Sequence, residues 1–323
     1  LQAKTEESFL EKRAIVYDSV GVGLGQYRYD PIFNTYISDP NGAFISYTIP
    51  TGKRDPNTVI EGSQKFTIDL GKISGFPNIT IRGNNRLDYR GSGIEIKKLM
   101  QPNITDSLAT LSRLNSRLEM IYYGKNRFRS WIDNQQALNG LDPRGNDVDQ
   151  SNEFGLEINQ TLSPLITIKN SGQFRKKYVE STVSNLRNRD VKGWWNEIQL
   201  QVKLSESLDF DLGLMGGFDS GNQQGKPFSS QAYGLLLNGR FFFKKTGRFQ
   251  SQISWVNAAE KNKLPYLPPE ALNGFPVGTS FRSNTRLQYF LNRSVSMIFT
   301  LNTIDDSRYD NFITFRGEIR AHI

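Results

Sequence analysis

The chain has 323 residues, of which 37% are hydrophobic, and it carries a net charge of +8 with no cysteine. The lack of cysteine excludes disulfides, a thiol nucleophile and thiolate metal ligands, and the single histidine, His322, cannot build a catalytic triad or a zinc site. No apolar run reaches the roughly 18 residues of a transmembrane helix, so any membrane crossing would use strands. These features predict a protein that is not an enzyme and binds no cofactor.

The positive charge is distributed in a way that does not favour nucleic acid. A nucleic-acid surface needs Lys and Arg clustered with aromatic residues on one element. Here the arginines alternate with apolar residues, as Arg282 and Arg286 do with Phe281 and Leu287. The pattern indicates a charged inner wall, either of an anion-preferring pore or of an interior filled by salt bridges.

Residues 1–42 are predicted to form a short N-terminal extension or tether with turns. Glu6 to Lys12 has brief helical character, and Asp39-Pro40-Asn41-Gly42 is typical of a tight turn. The glycines at 21, 23 and 25 do not open a helix, so they do not indicate a phosphate-binding loop. The chain begins on Leu1 without a signal peptide, which fits either a processed chain or part of a longer protein.

Two groups of motifs carry a family resemblance: Gly25-Gln26-Tyr27-Arg28-Tyr29-Asp30 with the turn at Asp39–Gly42 and Ile49-Pro50-Thr51-Gly52, and Leu264-Pro265-Tyr266 with Gly274, Gly278 and the strands after Phe281. The chain resembles the C-terminal part of large outer-membrane or surface β-barrel proteins of Bacteroidota and Chlorobi/Ignavibacteria. The resemblance covers most of the chain. It implies an envelope location and a longer polypeptide, and it brings no known activity or site residues.

Residues 43–323 are predicted to form a meander of strands, because apolar and polar residues alternate with period 2 along most of this part. The clearest stretch runs from Thr279 to Ile323, where three segments reach the roughly 9 to 11 residues of a strand that spans a bilayer. Two segments depart from the pattern. Asp106 to Arg117 has leucines at helical spacing and predicts a short helix, and Leu165 to Phe174 is irregular.

The fold class predicted is all-β, an antiparallel up-and-down transmembrane β-barrel of about 14 strands, with 12 as the alternative. Short connections alternate with longer polar loops, which outer-membrane barrels do and Greek-key sandwiches do not. A soluble all-β sandwich is the competing fold, because its core gives the same alternation. The longer loops are expected at residues 91–116, 135–152, 181–192, 219–230, 258–278 and 305–310.

Candidate site residues fall into three sets. Asp142, Asn146, Asp147 and Asp149 could offer oxygen ligands to calcium, but they lack the EF-hand register and a solvated loop is expected, so no metal site is predicted. A basic stripe facing the lumen is predicted, and aromatic residues near segment ends suit the two membrane interfaces. The stripe comprises Arg282, Arg286, Arg316 and Arg320, and the interfacial aromatics comprise Trp194, Tyr233, Phe243, Phe249 and Trp255.

The sequence therefore predicts an outer-membrane protein of a Gram-negative-type bacterium whose partner is lipid, with other envelope proteins or the rest of a longer chain as further partners. The expected role is a membrane anchor or structural surface protein. Two alternatives stay open: an anion-preferring pore or ligand-uptake channel, and a soluble all-β binding module. A continuous apolar belt on the outer face would distinguish the membrane roles from the soluble one.

Overall fold

The computed structural model describes residues 2–73, 75, 77–92, 109–243, 246–262, 264, 266–292 and 294–321; His322 lies outside this range. Sixteen β-strands account for most of it, together with short 3₁₀ turns at Leu70–Lys72, Asn185–Arg187 and Ala271–Gly274. The strands are β1 (Gln2–Ser19), β2 (Gly25–Asp30), β3 (Thr35–Gly42), β4 (Phe44–Asp69), β5 (Ile79–Gly91), β6 (Ala109–Tyr123), β7 (Asn126–Asn139), β8 (Asp147–Ser163), β9 (Ile166–Ser181), β10 (Arg189–Lys203), β11 (Leu208–Gln223), β12 (Lys226–Phe242), β13 (Gly247–Glu260), β14 (Gly278–Phe290), β15 (Val295–Asp306) and β16 (Tyr309–Ala321).

All sixteen strands belong to one antiparallel sheet with up-and-down connectivity. From β4 to β16 each strand pairs with its sequence neighbours, and β4 also pairs with β1 and, at one position, with β2. Among the described residues no pairing joins β16 to β1, so the sheet is open. No helix in the described part of the chain is long and apolar enough to cross a membrane. The all-β, up-and-down prediction is confirmed at this level.

The structure has sixteen strands where 14, or 12, were predicted, and two differences with opposite effects on the count account for this. Residues 43–49 and the segment after Thr58 were predicted as separate strands, but both belong to the single 26-residue strand β4. Residues 2–42 add β1, β2 and β3, which are hydrogen-bonded to the same sheet. The domain boundary at residue 42 stays a prediction.

Two helical predictions were wrong. Glu6 to Lys12 lies inside β1 and pairs residue by residue with β4, apart from an irregularity after Glu11. Of the predicted helix at 106–117, the described part belongs to β6, which pairs with both β5 and β7, and residues 106–108 lie outside the described range. Pairing on both edges satisfies the backbone of β6 and overrides the leucine spacing, since propensity is only a weak prior. The irregular segment after Leu165 is the regular strand β9.

Two of the predicted long loops are tight hairpins. β11 and β12 continue to Gln223 and Lys226 and are joined by Gln224 and Gly225, whose φ values of 54° and 78° suit a two-residue hairpin turn. β15 and β16 are likewise joined by residues 307–308 alone. The polar residues at these strand ends had indicated loops. The segment between β13 and β14, residues 261–277, is long, as predicted.

The N-terminal strands form a ribbon that continues past the end of β5. β4 pairs with β5 only from Thr58 to Asp69, whereas β1 pairs with β4 up to Phe44. Residues 9–57, called the ribbon below, therefore extend beyond the rest of the sheet. Arg144, in the β7–β8 connection, donates from Nη1 to Ser46 Oγ at 2.9 Å and holds the ribbon against that connection.

The packing of Trp131 over Gly155 gives a test of how closely neighbouring strands fit. A Cβ at Gly155 would lie 2.0 Å from the Trp131 ring, whose Nε1 donates to Glu153 Oε1 at 2.7 Å. Gly155→Ala should destabilise the protein by about 1–3 kcal/mol, because the ring must move and overpacking is costly. Chemical unfolding in detergent measures this. Gly239→Ala, where a Cβ meets nothing within 4 Å, is the matched control, and an equal loss there would contradict the explanation.

Candidate functional site: the two faces of the sheet

The sheet has one apolar and one polar face, and β11 shows the division most clearly. Leu212, Leu214 and Phe218 lie on one face, and the alternate residues Asp211 and Asp219 lie on the other. Alternation along a strand places successive side chains on opposite faces, and register then aligns them across the sheet. The face of Leu214 is called the outer face and the face of Asp219 the inner face.

On the outer face, apolar side chains form continuous rows across the strands, which together are called the apolar belt. Leu212 and Leu214 are 52% and 63% exposed, although both are large and apolar. The belt extends from β4 to β16 without leaving the outer face. Two of its rows, read through direct cross-strand partners, are Ile198–Leu214–Leu235–Trp255–Phe281 and Ile168–Leu200–Leu212–Leu237–Ile253.

The predicted interfacial aromatics occupy different places on this face. Trp194 belongs to an aromatic row with Phe174 and Phe218, and Phe249 faces Phe241 in another row. Tyr233 is the direct partner of Gly216, and Trp255 is the direct partner of Leu235. Phe243 lies in the β12–β13 turn, where its ring contacts Phe241. The interfacial role of these five residues stays a prediction.

The inner face carries most of the paired charges. Arg129 bridges Glu119 and Glu157, and Arg240 bridges Asp209 at 2.8 Å and Asp211 at 3.6 Å. These partners lie on adjacent strands, so the pairs run across the sheet. The inner wall is therefore charged but largely neutralised by its own neighbours.

The four arginines of the predicted stripe share the inner face but differ in their surroundings. Arg286 and Arg316 align through Thr300, and both are inner-face residues. Arg320 pairs with Glu318 at 2.8 Å. Arg282 lies 3.7 Å from Asp306 and its guanidinium stacks 4.1 Å from the centre of the Phe275 ring. The stripe exists as an alignment, but three of its four arginines are already paired, since Arg316 also lies 3.9 Å from Glu318.

The connection between β13 and β14 folds onto the inner face, and residues 261–277 are called the inserted loop below. Leu272 is fully buried and Phe275 is 9% exposed. Both belong to an apolar cluster with the inner-face residues of four strands, and Phe275 stacks on Trp195 with ring centroids 6.0 Å apart. The inner-face members are Trp195, Met215, Ala232, Leu236, Val256 and Ala258. The loop is therefore part of the core of the protein.

Charged side chains of the inner face and of the β15–β16 turn also hold the backbone of the inserted loop. Asp219 accepts a hydrogen bond from the Leu272 amide and pairs with Arg175 at 2.8 Å, and its side chain is 1% exposed. Arg282 and Arg308 both donate to the carbonyl oxygen of Gly274, at 2.9 and 3.0 Å. These bonds satisfy groups that would otherwise be unpaired in the interior.

The tip of the inserted loop is a left-handed turn. Leu272, Asn273 and Gly274 have φ values of 49°, 54° and 77° in succession. Such φ values are unfavourable for leucine, at a cost of order 1–3 kcal/mol, and persist where the surroundings impose them. The buried Leu272 side chain and the bonds from Asp219, Arg282 and Arg308 impose them here. The sequence predicted a polar loop here. The apolar residues at positions 264, 267, 272 and 275 of the loop were the feature from which its burial could have been predicted.

The candidate calcium loop does not gather its oxygens. Asp142 pairs with Arg144 at 2.6 Å and Asp147 pairs with Arg187 at 2.7 Å. Asp149 pairs with Lys177. The hydrogen bond from Arg144 holds the pKa of the Asp142 carboxyl below its ordinary value. Among the described residues, no group of three or more His, Cys, Asp or Glu side chains could hold a metal ion.

Comparisons of this sequence with models of known protein families and with characterised proteins found no match. The resemblance to envelope proteins stays a prediction, and the function has to be inferred from the two faces of the sheet.

An acid-sensitive contact tests how the inserted loop is held. Arg189 donates two hydrogen bonds to Glu270, at 2.6 and 2.8 Å. Burial raises the pKa of Glu270, but the bonds and charge of Arg189 outweigh burial, and the pKa lies below its ordinary value of 4.5. A lowered pKa means that the contact contributes stability above pH 4.5, which is lost as the pH falls through the lowered value.

Hydrogen exchange of the inserted loop should therefore accelerate, relative to the intrinsic rate, when the pH is lowered from 7 to below 4.5. In Glu270→Gln the loop should exchange faster at pH 7, with a smaller further change on acidification, because this variant cannot form the charged pair. Mass spectrometry of peptides that cover residues 264–275 measures both. The same pH response in the variant and the native chain would show that Glu270 does not hold the loop.

Proposed function

We propose that this chain inserts into the outer membrane of a Gram-negative-type bacterium as a β-barrel and serves there as a membrane anchor or structural surface protein, without catalysis. The apolar belt carries the proposal, because it runs in register across the outer face from β4 to β16. Soluble monomers rarely expose a contiguous apolar surface of more than a few hundred Å². Lipid is the partner that fits such a face.

Closure of the sheet is part of this proposal. β16 has no partner beyond β15 in the described part of the chain, and its Ile313, Phe315 and Ile319 are 62%, 69% and 70% exposed. Hydrocarbon does not tolerate an unpaired strand edge. β1 is antiparallel to β4, and β4 runs in the same direction as β16. The free edges of β1 and β16 therefore have the directions that an antiparallel closing pair requires.

The dimensions of the outer face support a membrane position. Phe210 and Phe218 are outer-face aromatics of β11, and Leu212 and Leu214 lie between them. Eight residues correspond to about 27 Å along a strand at ~3.4 Å per residue. A strand tilt of about 40° reduces this to about 21 Å. Outer-membrane barrels carry an apolar band about 25 Å tall between aromatic girdles.

The anchor role is favoured over a pore by the inserted loop. Its Leu272 and Phe275 pack against the inner face from β10 to β13. Arg282, which donates to the Gly274 carbonyl oxygen of the loop, is therefore not available to line a water-filled channel. A pore needs a continuous aqueous path, and residues that form a packed apolar cluster interrupt one. The ribbon lies at the same end of the sheet as the inserted loop. It would then be the part presented to other envelope proteins.

A charge on the apolar belt distinguishes lipid from water as its surroundings. Leu214→Arg places an arginine at a position that is 63% exposed. In a bilayer it should cost about 2–4 kcal/mol near the midplane, whereas an exposed surface position in water should tolerate it. Unfolding by urea of protein reconstituted into lipid vesicles measures the difference. The matched control is Gln252→Arg on the inner face, where the direct cross-strand partners, Asn238 and Asn284, are uncharged.

Loss of stability in Gln252→Arg equal to that in Leu214→Arg would contradict the lipid-facing assignment. Fractionation gives an independent result, because the native chain should be recovered with the outer membrane. In detergent it should show a strand-dominated circular dichroism spectrum and heat-modifiable gel migration. Recovery as a soluble monomer without detergent would instead support the all-β binding module.

The pore is the second candidate, because Arg286 and Arg316 are aligned on the polar inner face. Native protein in planar bilayers should give no single-channel conductance if the inserted loop fills the interior. Substituting residues 264–275 with a Gly/Ser segment should open an anion-preferring path. Replacing Arg286 and Arg316 with Gln in that variant should then reduce the anion preference at low salt, where charges are poorly screened. Conductance of the native protein with anion preference would favour the pore over the anchor.

A further inference from the structure

Four amide side chains face one another across four adjacent strands of the inner face, and they are called the amide row below. Asn238 of β12 is the direct partner of Gln252 of β13, which is the partner of Asn284 of β14, which is the partner of Asn302 of β15. The row continues into Thr314 of β16. Consecutive members are separated by one strand spacing, about 4.8 Å.

One half of the amide row is internally bonded and the other half is not. Asn284 donates to Asn302, and Asn302 donates to Thr314 at 3.3 Å. In the described part of the chain, the side chains of Asn238 and Gln252 form no hydrogen bond with another residue. Gln252 and Asn284 are exposed on the inner face. Donor and acceptor groups are thus available to a ligand at the centre of the row.

The row lies where two cavities meet. A cavity of about 470 Å³ and a neighbouring one of about 300 Å³ both include Gln252 and Asn284 in their walls. The larger is bounded on one side by Trp195, Met215 and Leu236, and it reaches the inserted loop. Together they form an elongated groove across the strands, and their volumes lie in the range of ligand pockets, about 300–1,000 Å³.

The chemistry of the groove favours an uncharged ligand. Each amide offers two donors and an acceptor, which match hydroxyl groups that donate and accept. Arg240, at one end, pairs with Asp209 and Asp211, and Arg282, at the other, pairs with Asp306. Glu197 accepts hydrogen bonds from Trp195 at 3.1 Å and from Gln199 at 3.4 Å. The cationic groups in these walls are therefore already paired with carboxylates, and the carboxylate of Glu197 is occupied by two neutral donors.

We propose that the amide row is a binding track for a linear neutral oligosaccharide. The repeat of about 4.8 Å between strands is comparable to the length of one sugar ring along such a chain, so successive rings can meet successive amides. The apolar wall formed by Met215 and Leu236 contacts the non-polar edges of the rings. This inference goes beyond membrane anchoring and does not depend on it, because the groove is on the inner face.

Isothermal titration of the full chain in detergent tests the proposal, with maltotetraose and cellotetraose as neutral probes and tetraglycine as a peptide of similar length. Saturable binding of at least one tetrasaccharide is expected, with a weaker response to tetraglycine. Gln252→Leu and Asn284→Leu should each weaken that binding roughly tenfold, the effect of losing about one to two hydrogen bonds. Gln135→Leu, at an inner-face amide of β7 that lies outside the groove and donates to Asp133, should leave it unchanged.

Three results would overturn the proposal. The first is the absence of saturable binding of either tetrasaccharide by folded protein. The second is an equal loss of affinity in Gln135→Leu, which would indicate a general effect on the inner face. The third is tetraglycine binding as tight as that of the sugars. None of these results bears on membrane insertion, which the vesicle and fractionation experiments test separately.

Discussion

Backbone hydrogen bonding between antiparallel neighbours is the constraint on which the rest of this protein depends. Because thirteen strands from β4 to β16 are paired in unbroken sequence order, the face of every side chain follows from its position in the register. A slip of one residue in any strand would move its apolar residues to the inner face and its charges to the outer one. The belt, the ion pairs and the amide row are three consequences of the same register.

The inserted loop lies outside the ladder, so this constraint does not apply to it, and its contacts explain part of the charge on the inner wall. A segment outside the ladder has to find partners for its amides and carbonyls elsewhere. Asp219 supplies an acceptor, and Arg282 and Arg308 supply donors. Some inner-wall charges therefore have a structural role that alternation alone would have assigned to a solute. The loop and the wall have to be considered as one unit.

The sequence was sufficient to predict features that depend on residues close together in the chain. It was insufficient to predict which residues of different strands lie side by side. Period-2 alternation in β11 and β14–β16 predicted strands, a two-faced sheet and up-and-down connections. The alternation could not predict that Gln252 lies beside Asn284, because the register between two strands does not follow from the pattern of either strand alone. Polar strand ends such as Ser220 to Gln223 were taken for loops for a related reason, since only the partner strand shows that their backbone is paired. The helical spacing of leucines in β6 was overridden in the same way.

The length of β4 has a mechanical consequence. One continuous strand of 26 residues takes part both in the ribbon, through β1, and in the sheet, through β5. A pull on the ribbon along its axis is therefore transmitted directly into the sheet by covalent bonds. The twelve residue pairs between Thr58 and Asp69 and their partners on β5 would be loaded together in shear rather than opened one after another. Tension on the ribbon would thus be shared by a whole strand interface, with no flexible linker at the junction to absorb it.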